Sequence, residues 1–369
     1  MKFQPICEGL VCQRHPDDPS PVTAGPRLAV THDEVVCTYM VQSKLGINDF
    51  VPFISRSTDI GITWSDEGPV WPHLSGTLSL FGSVSRSPDG LLYMYGISTP
   101  IDEPGELFWS DETQGMKQNQ LFWSVSKDDG RSWTDPALIA MPIPGSAEAP
   151  GPLCVTSSER WVVCYSPYNT FDRGLPVDRQ QVVSMFSDDE GAAWQHTSMH
   201  RFDEAESGGA EAWVIELSDG RLLSTSWQVD HRGEQDYPNA FALSHDAGES
   251  WSPTRSTGIL GQSTSLMALP DGRALFVYNQ RKHGEVGVWM AEVQPTQEEF
   301  GILSNQIVWR AETATQTESS GEHSEWRDFS FGEPAAAILP DGSLLLVFWK
   351  IQPGEQGIGY LKIALETDA

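Results

Sequence analysis

Three glutamates stand at matching places in the sequence, each just ahead of an apolar segment typical of a buried strand. They are Glu148, before PLCV, Glu211, before AWVIEL, and Glu333, before PAAAIL; Gln262 occupies the matching place before TSLMAL. Carboxylates held close together separate their pKa values, so that one stays protonated while another is ionised, as general acid/base or nucleophilic catalysis requires. The alternative for each is a side chain that points away, bonds to backbone or binds a structural cation.

Other titratable and aromatic residues fall in the segments that link such strands. They are Arg27 in AGPRL, Asp49 in GINDF, Trp227, His231, Arg232 and Tyr237 in WQVDHRGEQDY, Arg281 and His283 in NQRKHG, and Glu322, His323 and Glu325 in EHSEWRD. We predict His231 as a general acid, a sugar ligand or an exposed loop histidine. The long segment 96–120 is predicted to be a functional flap or an oligomer contact. Two or three ligands in one loop are weak evidence for a metal, and none is predicted.

Six turn signals divide the chain into hairpins. They lie between runs rich in β-branched, aromatic and aliphatic residues, which indicate strands, and helical periodicity is nearly absent. The turns are at residues 31–34, 87–90, 157–160, 217–220, 270–272 and 340–342.

An eight-residue pattern, S-x-D-x-G-x-[ST]-W, follows each of the first four hairpins. Its copies are STDIGITW (57–64), SKDDGRSW (126–133), SDDEGAAW (187–194) and SHDAGESW (244–251), the third with alanine at the hydroxyl position. The aspartate can accept backbone N–H groups, glycine supplies the positive φ of a tight turn, and the tryptophan resumes the strand. Four regular copies favour a fold-building turn over catalytic aspartates.

Each unit is therefore predicted to contain four short antiparallel strands. Six such units predict an all-β fold, a six-bladed β-propeller spanning residues 1–369 as one domain. Either residues 3–11 or residues 359–365 are expected to close the ring. The innermost strands are predicted to begin near Arg27, Gly82, Pro152, Ala212, Thr264 and Pro334. A small-molecule site is expected at the mouth of the central channel.

The octapeptides and the P-D-G turns resemble the Asp-box (BNR) repeats of the sialidase superfamily, from about residue 27 to residue 361. The resemblance implies a six-bladed propeller, in agreement with the hairpin count. It also implies a glutamate ahead of the fourth inner strand that activates a tyrosine nucleophile ahead of the sixth. Glu211 matches the first of these positions, and Glu333 stands at the second. An acid/base aspartate would correspond to Asp49.

Three arginines that bind the substrate carboxylate are also implied by the resemblance, and they match only in part. Arg27 is displaced from the expected place, Trp227 stands where the second arginine is expected, and Arg281 lies near the third. Substrate contacts are therefore predicted for a wider set: Arg27, Glu148, Trp227, Arg232, Tyr237, Gln262, Arg281 and His283.

The composition excludes several classes of function. The 369 residues include 23 basic and 51 acidic side chains, a formal charge of −28, which argues against nucleic acid and against anionic membrane surfaces. The five cysteines follow no metal spacing and are expected to be free thiols. The amino-terminal residues lack the pattern of a secretory signal, so a cytoplasmic location is expected. No cofactor is predicted, and a homo-oligomer is left open.

These observations together predict a glycoside hydrolase that acts on a small, non-sialic carbohydrate through Glu211 and Glu333, with Asp49 or His231 assisting. One alternative is a non-catalytic carbohydrate-binding or scaffold propeller. Two further alternatives are a lyase or epimerase with His231 or Tyr237 as base, and a divergent sialidase.

Overall fold

Six antiparallel sheets contain almost all the regular structure in the computed structural model, which describes residues 1–203, 206–317 and 326–366. From inner to outer strand, blade one holds β2 (Val22–Val30), β3 (Val35–Gln42), β4 (Val51–Ser57) and β5 (Ser65–Pro69). Blade two holds β6 (Leu78–Arg86), β7 (Leu92–Pro100), β10 (Gln120–Ser126) and β11 (Ala137–Ile139), and a small hairpin, β8 (Trp109–Ser110) and β9 (Gly115–Met116), follows β7. Blade three has an interrupted inner strand, β12 (Ser146–Glu148) and β13 (Cys154–Val155), then β14 (Trp161–Tyr168), β15 (Gln181–Ser187) and β16 (Gln195–Arg201).

The remaining blades repeat this arrangement. Blade four holds β17 (Ser207–Glu216), β18 (Leu222–Asp230), β19 (Ala240–Ser244) and β20 (Arg255–Ser256), and blade five holds β21 (Gln262–Ala268), β22 (Ala274–Gln280), β23 (Gly287–Val293) and β24 (Ile302–Arg310). Blade six combines β25 (Phe331–Ile338), β26 (Leu344–Gln352) and β27 (Glu355–Glu366) with the amino-terminal β1 (Lys2–Gln13). The helical segments described are two 3-10 turns, Pro270–Gly272 and Trp326–Asp328. None of the described helices has the length and apolar character needed to cross a membrane.

The ring is closed in blade six. Strand β1 pairs antiparallel with β27 over most of its length, so strands from both ends of the sequence share one sheet. Buried side chains of neighbouring blades pack into shared clusters, one of which joins Tyr39, Phe241, Phe276 and Val347 from four blades. The six-bladed all-β propeller predicted from the hairpins is therefore confirmed.

The four octapeptides form one structure, the turn between the third and the outermost strand of blades one to four. In the first, Ser57 Oγ donates to Asp59 Oδ1 (2.8 Å) and the Thr63 N–H donates to the same oxygen (2.8 Å). Burial alone would raise the pKa of Asp59, but hydrogen bonds from Thr63 and Ser57 outweigh it and lower the pKa to about 2. These aspartates are therefore turn-builders, as predicted.

The inner strands begin a few residues earlier than the sequence predicts. In blades one, four, five and six a register shift interrupts the pairing of the inner strand with its neighbour, between residues 24 and 27, 210 and 213, 262 and 264, and 332 and 335. The pattern of apolar residues marks only the segment beyond this β-bulge. The short paired segment before it carries no such pattern, so the predicted starts, near Arg27, Ala212, Thr264 and Pro334, fall at or just beyond the bulge.

Candidate active site

The inner-strand bulges place one residue of each of four blades at the same level of the channel. These residues are Gly25 (φ 55°), Glu211 (φ 52°), Ser263 (φ 52°) and Glu333 (φ 52°), all in the left-handed region. Non-glycine residues rarely adopt this conformation, and they persist there only when surrounding contacts hold them. Blade one has glycine because a Cβ at position 25 would lie 2.5 Å from the ring of Phe81.

Hydrogen bonds between neighbouring blades hold these bulges. Glu148 Oε2 accepts the backbone N–H of Glu211 (2.8 Å), and Glu333 Oε2 accepts that of Gly25 (2.7 Å). Ser263 Oγ donates to Glu211 Oε1 (2.7 Å), whereas Glu211 Oε2 is buried and has no partner among the described residues. Each glutamate thus uses one oxygen to join two blades.

Burial raises the pKa values of two of these carboxyl groups towards neutrality. The pKa of Glu148 is raised to about 8, chiefly by burial and further by the charges of Glu211 and Glu333. Burial is also the main cause that raises the pKa of Glu211 to about 7; the Glu333 charge adds to it, while the Ser263 hydroxyl and Arg281 oppose it. A carboxyl group with a pKa near 7 can give and take a proton at neutral pH, which suits a general acid or base.

Arg27 lies beneath the carboxylates and not on the cavity wall. Its guanidinium donates to the carbonyl oxygens of Pro150 (3.0 and 3.1 Å), Pro26 (2.8 Å) and Glu333 (3.3 Å) and lies 5.1 Å from the ring of Trp213. Only 3% of Arg27 is exposed. Arg27 is therefore not among the residues that line the cavity, because backbone carbonyls of the channel already engage its guanidinium.

Arg281 does reach the cavity. Its guanidinium lies 3.9 Å from the ring of Phe329, donates to Gln262 Oε1 (3.3 Å) and to the carbonyl oxygen of Phe331, and keeps a buried Nε without a described partner. Burial lowers the pKa of Arg281 to about 10, although the charges of Glu211 and Glu333 act in the opposite direction. Arg281 therefore remains a cation at neutral pH.

A cavity of about 600 Å³ opens above these residues at the mouth of the channel. Of the predicted site residues it brings together Glu148, Glu211, Trp227, Gln262, Arg281 and Glu333. The segment 101–119, part of the predicted flap, reaches over it: Phe108, Trp109 and Lys117 line the cavity, and Trp109 meets Tyr168 of blade three edge to face, with ring centroids 6.1 Å apart. The cavity is enclosed by blades on its floor and by this flap on one side.

Besides Arg27, three predicted site residues lie outside both the cavity lining and the recess beside it. Asp49 accepts hydrogen bonds from Ser43 within its own loop. His231 packs against Gly208 near Arg179, and burial, followed by the Arg179 charge, lowers its pKa to about 4, so the imidazole is neutral. Arg232 is exposed on the same loop. Loop conformation, which the sequence does not fix, separates these side chains from the carboxylates.

Tyr237 and His283 occupy a shallow recess beside the main cavity. They line it together with Trp227, Gln262 and Arg281, which belong to both. His283 Nε2 lies 2.8 Å from Asp236 Oδ2, so the histidine joins the loop after β18 to the loop after β22. These two residues border the site without reaching its floor.

Sequence reasoning missed several lining residues, namely Asn48, Phe50, Phe81, Phe108, Lys117, Ser263 and Phe329. One signal was available for Ser263. Aligning the four inner strands by their apolar segments places Ser263 and Gly25 opposite Glu211 and Glu333. No comparable pattern marks the aromatic residues, because Phe81 lies in the inner strand of blade two, whereas Phe50, Phe108 and Phe329 come from unrelated loops.

The acidic and thiol groups do not assemble into a metal site in the part of the chain that is described. Over residues 1–203, 206–317 and 326–366, no cluster of three histidine, cysteine, aspartate or glutamate residues could hold an ion. All five cysteines are free thiols. The predicted loop residues Glu322, His323 and Glu325 lie outside the described residues.

Comparisons with solved structures show the same fold. The chain matches a protein of unknown function from Dyadobacter fermentans with a TM-score of 0.76 at 17% identity, over 99% of both chains. It matches the Hadza microbial sialidase Hz136 with a TM-score of 0.65 at 18% identity, over 96% of this chain and 68% of that one. It matches an α-L-arabinanase from Penicillium chrysogenum with a TM-score of 0.64 at 17% identity, over 98% of both chains. A search of curated protein sequences found no match.

The fold and the arrangement of its repeats define a six-bladed β-propeller built from BNR-like repeats. A family model for the BNR repeat-like domain matches residues 70–310, more than half of the sequence. The chain belongs to the BNR repeat-like domain family.

Proposed function

We propose that the protein is a glycoside hydrolase that cleaves a small, neutral glycoside in the cavity at the channel mouth. The observation that carries the proposal is the convergence of Glu148, Glu211 and Glu333 on the floor of one cavity, with pKa values of about 8 and 7 for the first two. Titratable groups with such shifted pKa values in a cleft mark candidate catalytic sites. Aromatic side chains around them, among them Trp227 and Trp109, offer flat faces for sugar rings.

Glu211 is the general acid in this proposal. Its protonated carboxyl would give a proton to the glycosidic oxygen as the bond between that oxygen and the anomeric carbon breaks. Glu333 would act on the opposite side, either as the nucleophile or as the base that removes a proton from the attacking water. Glu148 would position Glu211 by accepting its backbone N–H, which holds the left-handed conformation at that residue.

The charges around the cavity favour a neutral sugar over a sialic acid. Arg281 is the one arginine among the described lining residues, because Arg27 is directed at backbone carbonyls and Trp227 stands where the superfamily pattern has another arginine. A three-arginine clamp for a sugar carboxylate is therefore not assembled in this part of the chain. The arabinanase of similar fold was solved with arabinobiose, a neutral sugar.

The proposal is tested with a panel of fluorogenic aryl glycosides that includes neutral pentosides, neutral hexosides and a sialoside. We expect turnover of at least one neutral glycoside, and a loss of about a hundredfold or more in kcat for Glu211→Gln and for Glu333→Gln. Glu216→Gln is the matched control, because Glu216 lies at the far end of the same strand as Glu211 and bonds to Ser157. Full turnover by both active-site variants would overturn the proposal.

A second candidate is a carbohydrate-binding propeller without turnover. It is favoured by the hydrogen bonds that Glu148, Glu211 and Glu333 make between blades, since these bonds also give the three side chains a structural role. Calorimetric titration with the same glycosides separates the two candidates. Saturable binding of a sugar that is never cleaved would support the binding protein.

A further inference from the structure

The cavity has two halves of different chemistry. Blades three to five contribute Glu148, Glu211 and Arg281, amide side chains and the rings of Tyr168 and Trp227, whereas blades one, two and six contribute a wall of four aromatic rings in contact with one another. Glu333 lies at the floor between them, because it belongs to blade six and accepts the N–H of Gly25 in blade one. A ligand cleaved at the floor would therefore extend into both halves.

The aromatic wall is continuous from floor to rim. It consists of Phe81, Phe50, Phe108 and Trp326, and the ring centroids of successive members are each 5.5 Å apart, with interplanar angles of 88°, 49° and 43°. All four side chains are only half-buried, and all four line the cavity. Concave apolar surface left open to water is unfavourable without an occupant and is typical of a ligand site.

The charged and amide donors on this side are already engaged with protein, whereas the hydroxyl groups of Thr23 and Thr99 line the cavity without a hydrogen-bond partner among the described residues. Lys117 pairs with Asp102 and Glu106, and Asn48 Nδ2 donates to Pro100 O (2.9 Å) and Glu106 Oε1 (2.7 Å). The amides that line this side also donate to backbone carbonyls; they belong to Gln42, Gln316 and Gln356. A second sugar here would find partners for only a few of its hydroxyl groups, and each hydroxyl left without a partner is costly in an enclosed site.

One acceptor is open beside the rings. Asn48 Oδ1 is buried and has no hydrogen-bond partner among the described residues, and Asn48 lies two positions before Phe50 in the cavity lining. A single buried acceptor next to apolar rings suits a ligand with one hydroxyl on an apolar frame. The volume of about 600 Å³ falls in the range of roughly 300–1,000 Å³ that holds drug-sized ligands.

We infer that the aromatic half binds a phenolic aglycone, so that the substrate is an aryl glycoside and not an oligosaccharide. This inference rests on the proposed function for the position of the sugar. The aglycone stacks on Phe50 and Phe108, its hydroxyl donates to Asn48 Oδ1, and its glycosidic oxygen lies over the carboxylates at the floor. The sugar occupies the half that contains Glu148, Glu211 and Arg281.

The test measures binding of a free phenolic aglycone by calorimetry, which needs no turnover. The probe is 4-methylesculetin, a coumarin whose two hydroxyl groups stand for the glycosidic oxygen and for the donor to Asn48 Oδ1. We expect saturable binding that Phe108→Ala weakens by about tenfold, and that Phe108→Leu, which keeps the apolar volume, weakens less. Methylumbelliferone, which has only one hydroxyl, is expected to bind more weakly than this probe, because it cannot fill the floor position and also donate to Asn48 Oδ1. The matched control is Phe171→Ala, since Phe171 is an exposed phenylalanine that does not line the cavity.

Two outcomes would overturn the inference. They are the absence of saturable binding by the wild-type protein, and equal affinities for Phe108→Ala and Phe171→Ala when both variants keep the wild-type melting temperature. The aromatic site would be supported, and the hydrolase overturned, if Phe108→Ala weakened binding of the phenol more than Phe108→Leu and Phe171→Ala did and no glycoside were cleaved. Faster cleavage of a disaccharide than of the aryl glycoside with the same sugar would support the hydrolase and overturn the aromatic aglycone.

Discussion

Burial raises the pKa values of Glu148 and Glu211, which suits them to their proposed roles, and the same burial affects the stability of the fold. A carboxyl group whose pKa is higher in the folded than in the unfolded chain binds more protons when folded. Stability is then greatest below the unfolded pKa, 4.5 for glutamate, and is lost as the pH rises towards the folded pKa, about 8 for Glu148 and about 7 for Glu211. The carboxyl pair is therefore expected to weaken the fold between pH 4.5 and pH 8.

Glu148→Gln is expected to remove much of this pH dependence. Glutamine keeps an oxygen that can accept the N–H of Glu211 but cannot ionise, so the variant should gain free energy of unfolding at pH 8, by a few kcal/mol at about 1.4 kcal/mol per pKa unit, and little at pH 5. Urea unfolding at the two pH values measures this. A variant that is destabilised equally at both would contradict the assignment.

Ser263→Ala is expected to shift the pH profile of catalysis. The Ser263 hydroxyl donates to Glu211 Oε1 and lowers the pKa of Glu211, so its removal should raise that pKa. Since a general acid must be protonated, activity should be lost above about pH 7 in the wild type and at a higher pH in the variant. The basic limb of kcat/KM against pH measures the shift. Ser265→Ala is the control, because the buried Ser265 hydroxyl has no described partner and should leave the limb unchanged.

At the residue scale the sequence identified the carboxylates but not their surroundings. Glu211 and Glu333 could be found because apolar strand segments follow them directly. Their left-handed backbone and the bonds to Ser263 and Gly25 could not, because they depend on how neighbouring blades meet. Arg27, at the predicted start of an inner strand, and Asp49 and His231, in loops, had suitable chemistry, yet none of the three lines the cavity.

At the scale of elements, the four octapeptide turns show how closely local sequence can determine local structure. Serine, aspartate, glycine and tryptophan contact one another within eight residues, so no distant part of the chain is needed, and the turns were predictable. In the first three turns the tryptophan ring N–H donates to the glycine carbonyl at 3.1–3.3 Å. In the fourth, the ring N–H of Trp251 is buried without a described partner. The inner-strand bulges are held by hydrogen bonds between separate blades, so no short stretch of sequence predicts them.

The third turn provides a natural test of one of these bonds. Ala193 donates its N–H to Asp189 Oδ1 (2.8 Å), as Ser132 does to Asp128, but lacks the hydroxyl with which Ser132 Oγ reaches Asp128 Oδ2 (2.6 Å). Ala193→Ser is expected to raise the melting temperature slightly, by about 1 °C, because the turn is exposed. Ser132→Ala should lower it by a similar amount. Calorimetric scans of both variants measure the effect, and shifts of the same sign would contradict it.

At the scale of the molecule, strand β1 fastens blade six to blade five. The Phe3 side chain lies in a cluster with Val277, Met290 and Leu344, and its carbonyl accepts Gln306 Nε2 (2.7 Å). The sequence predicted that one of the terminal segments closes the ring, but not which one, because both have strand-like composition. Both segments in fact take part, since β1 pairs with β27.

Phe3→Ala is therefore expected to cost about 3–5 kcal/mol in the free energy of unfolding, because it leaves a cavity between two blades. Ile6→Ala is the control, since Ile6 lies on the same strand with 55% of its surface exposed, and a change within about 0.5 kcal/mol is expected. Guanidinium unfolding followed by tryptophan fluorescence measures both. Equal costs for the two variants would show that β1 does not hold the ring closed.

The pairing of β1 with β27 also has a consequence for how the chain acquires its structure. During synthesis β1 emerges before every other strand described, and its partner emerges after all of them. Blades one to five can assemble while β1, which carries the apolar Phe3 and Val11, is still unpaired because β27 has not yet been synthesised. Contacts between segments so far apart in sequence form slowly, and unpaired strand edges invite association between chains. We therefore expect this protein to be most exposed to aggregation in the period before ring closure.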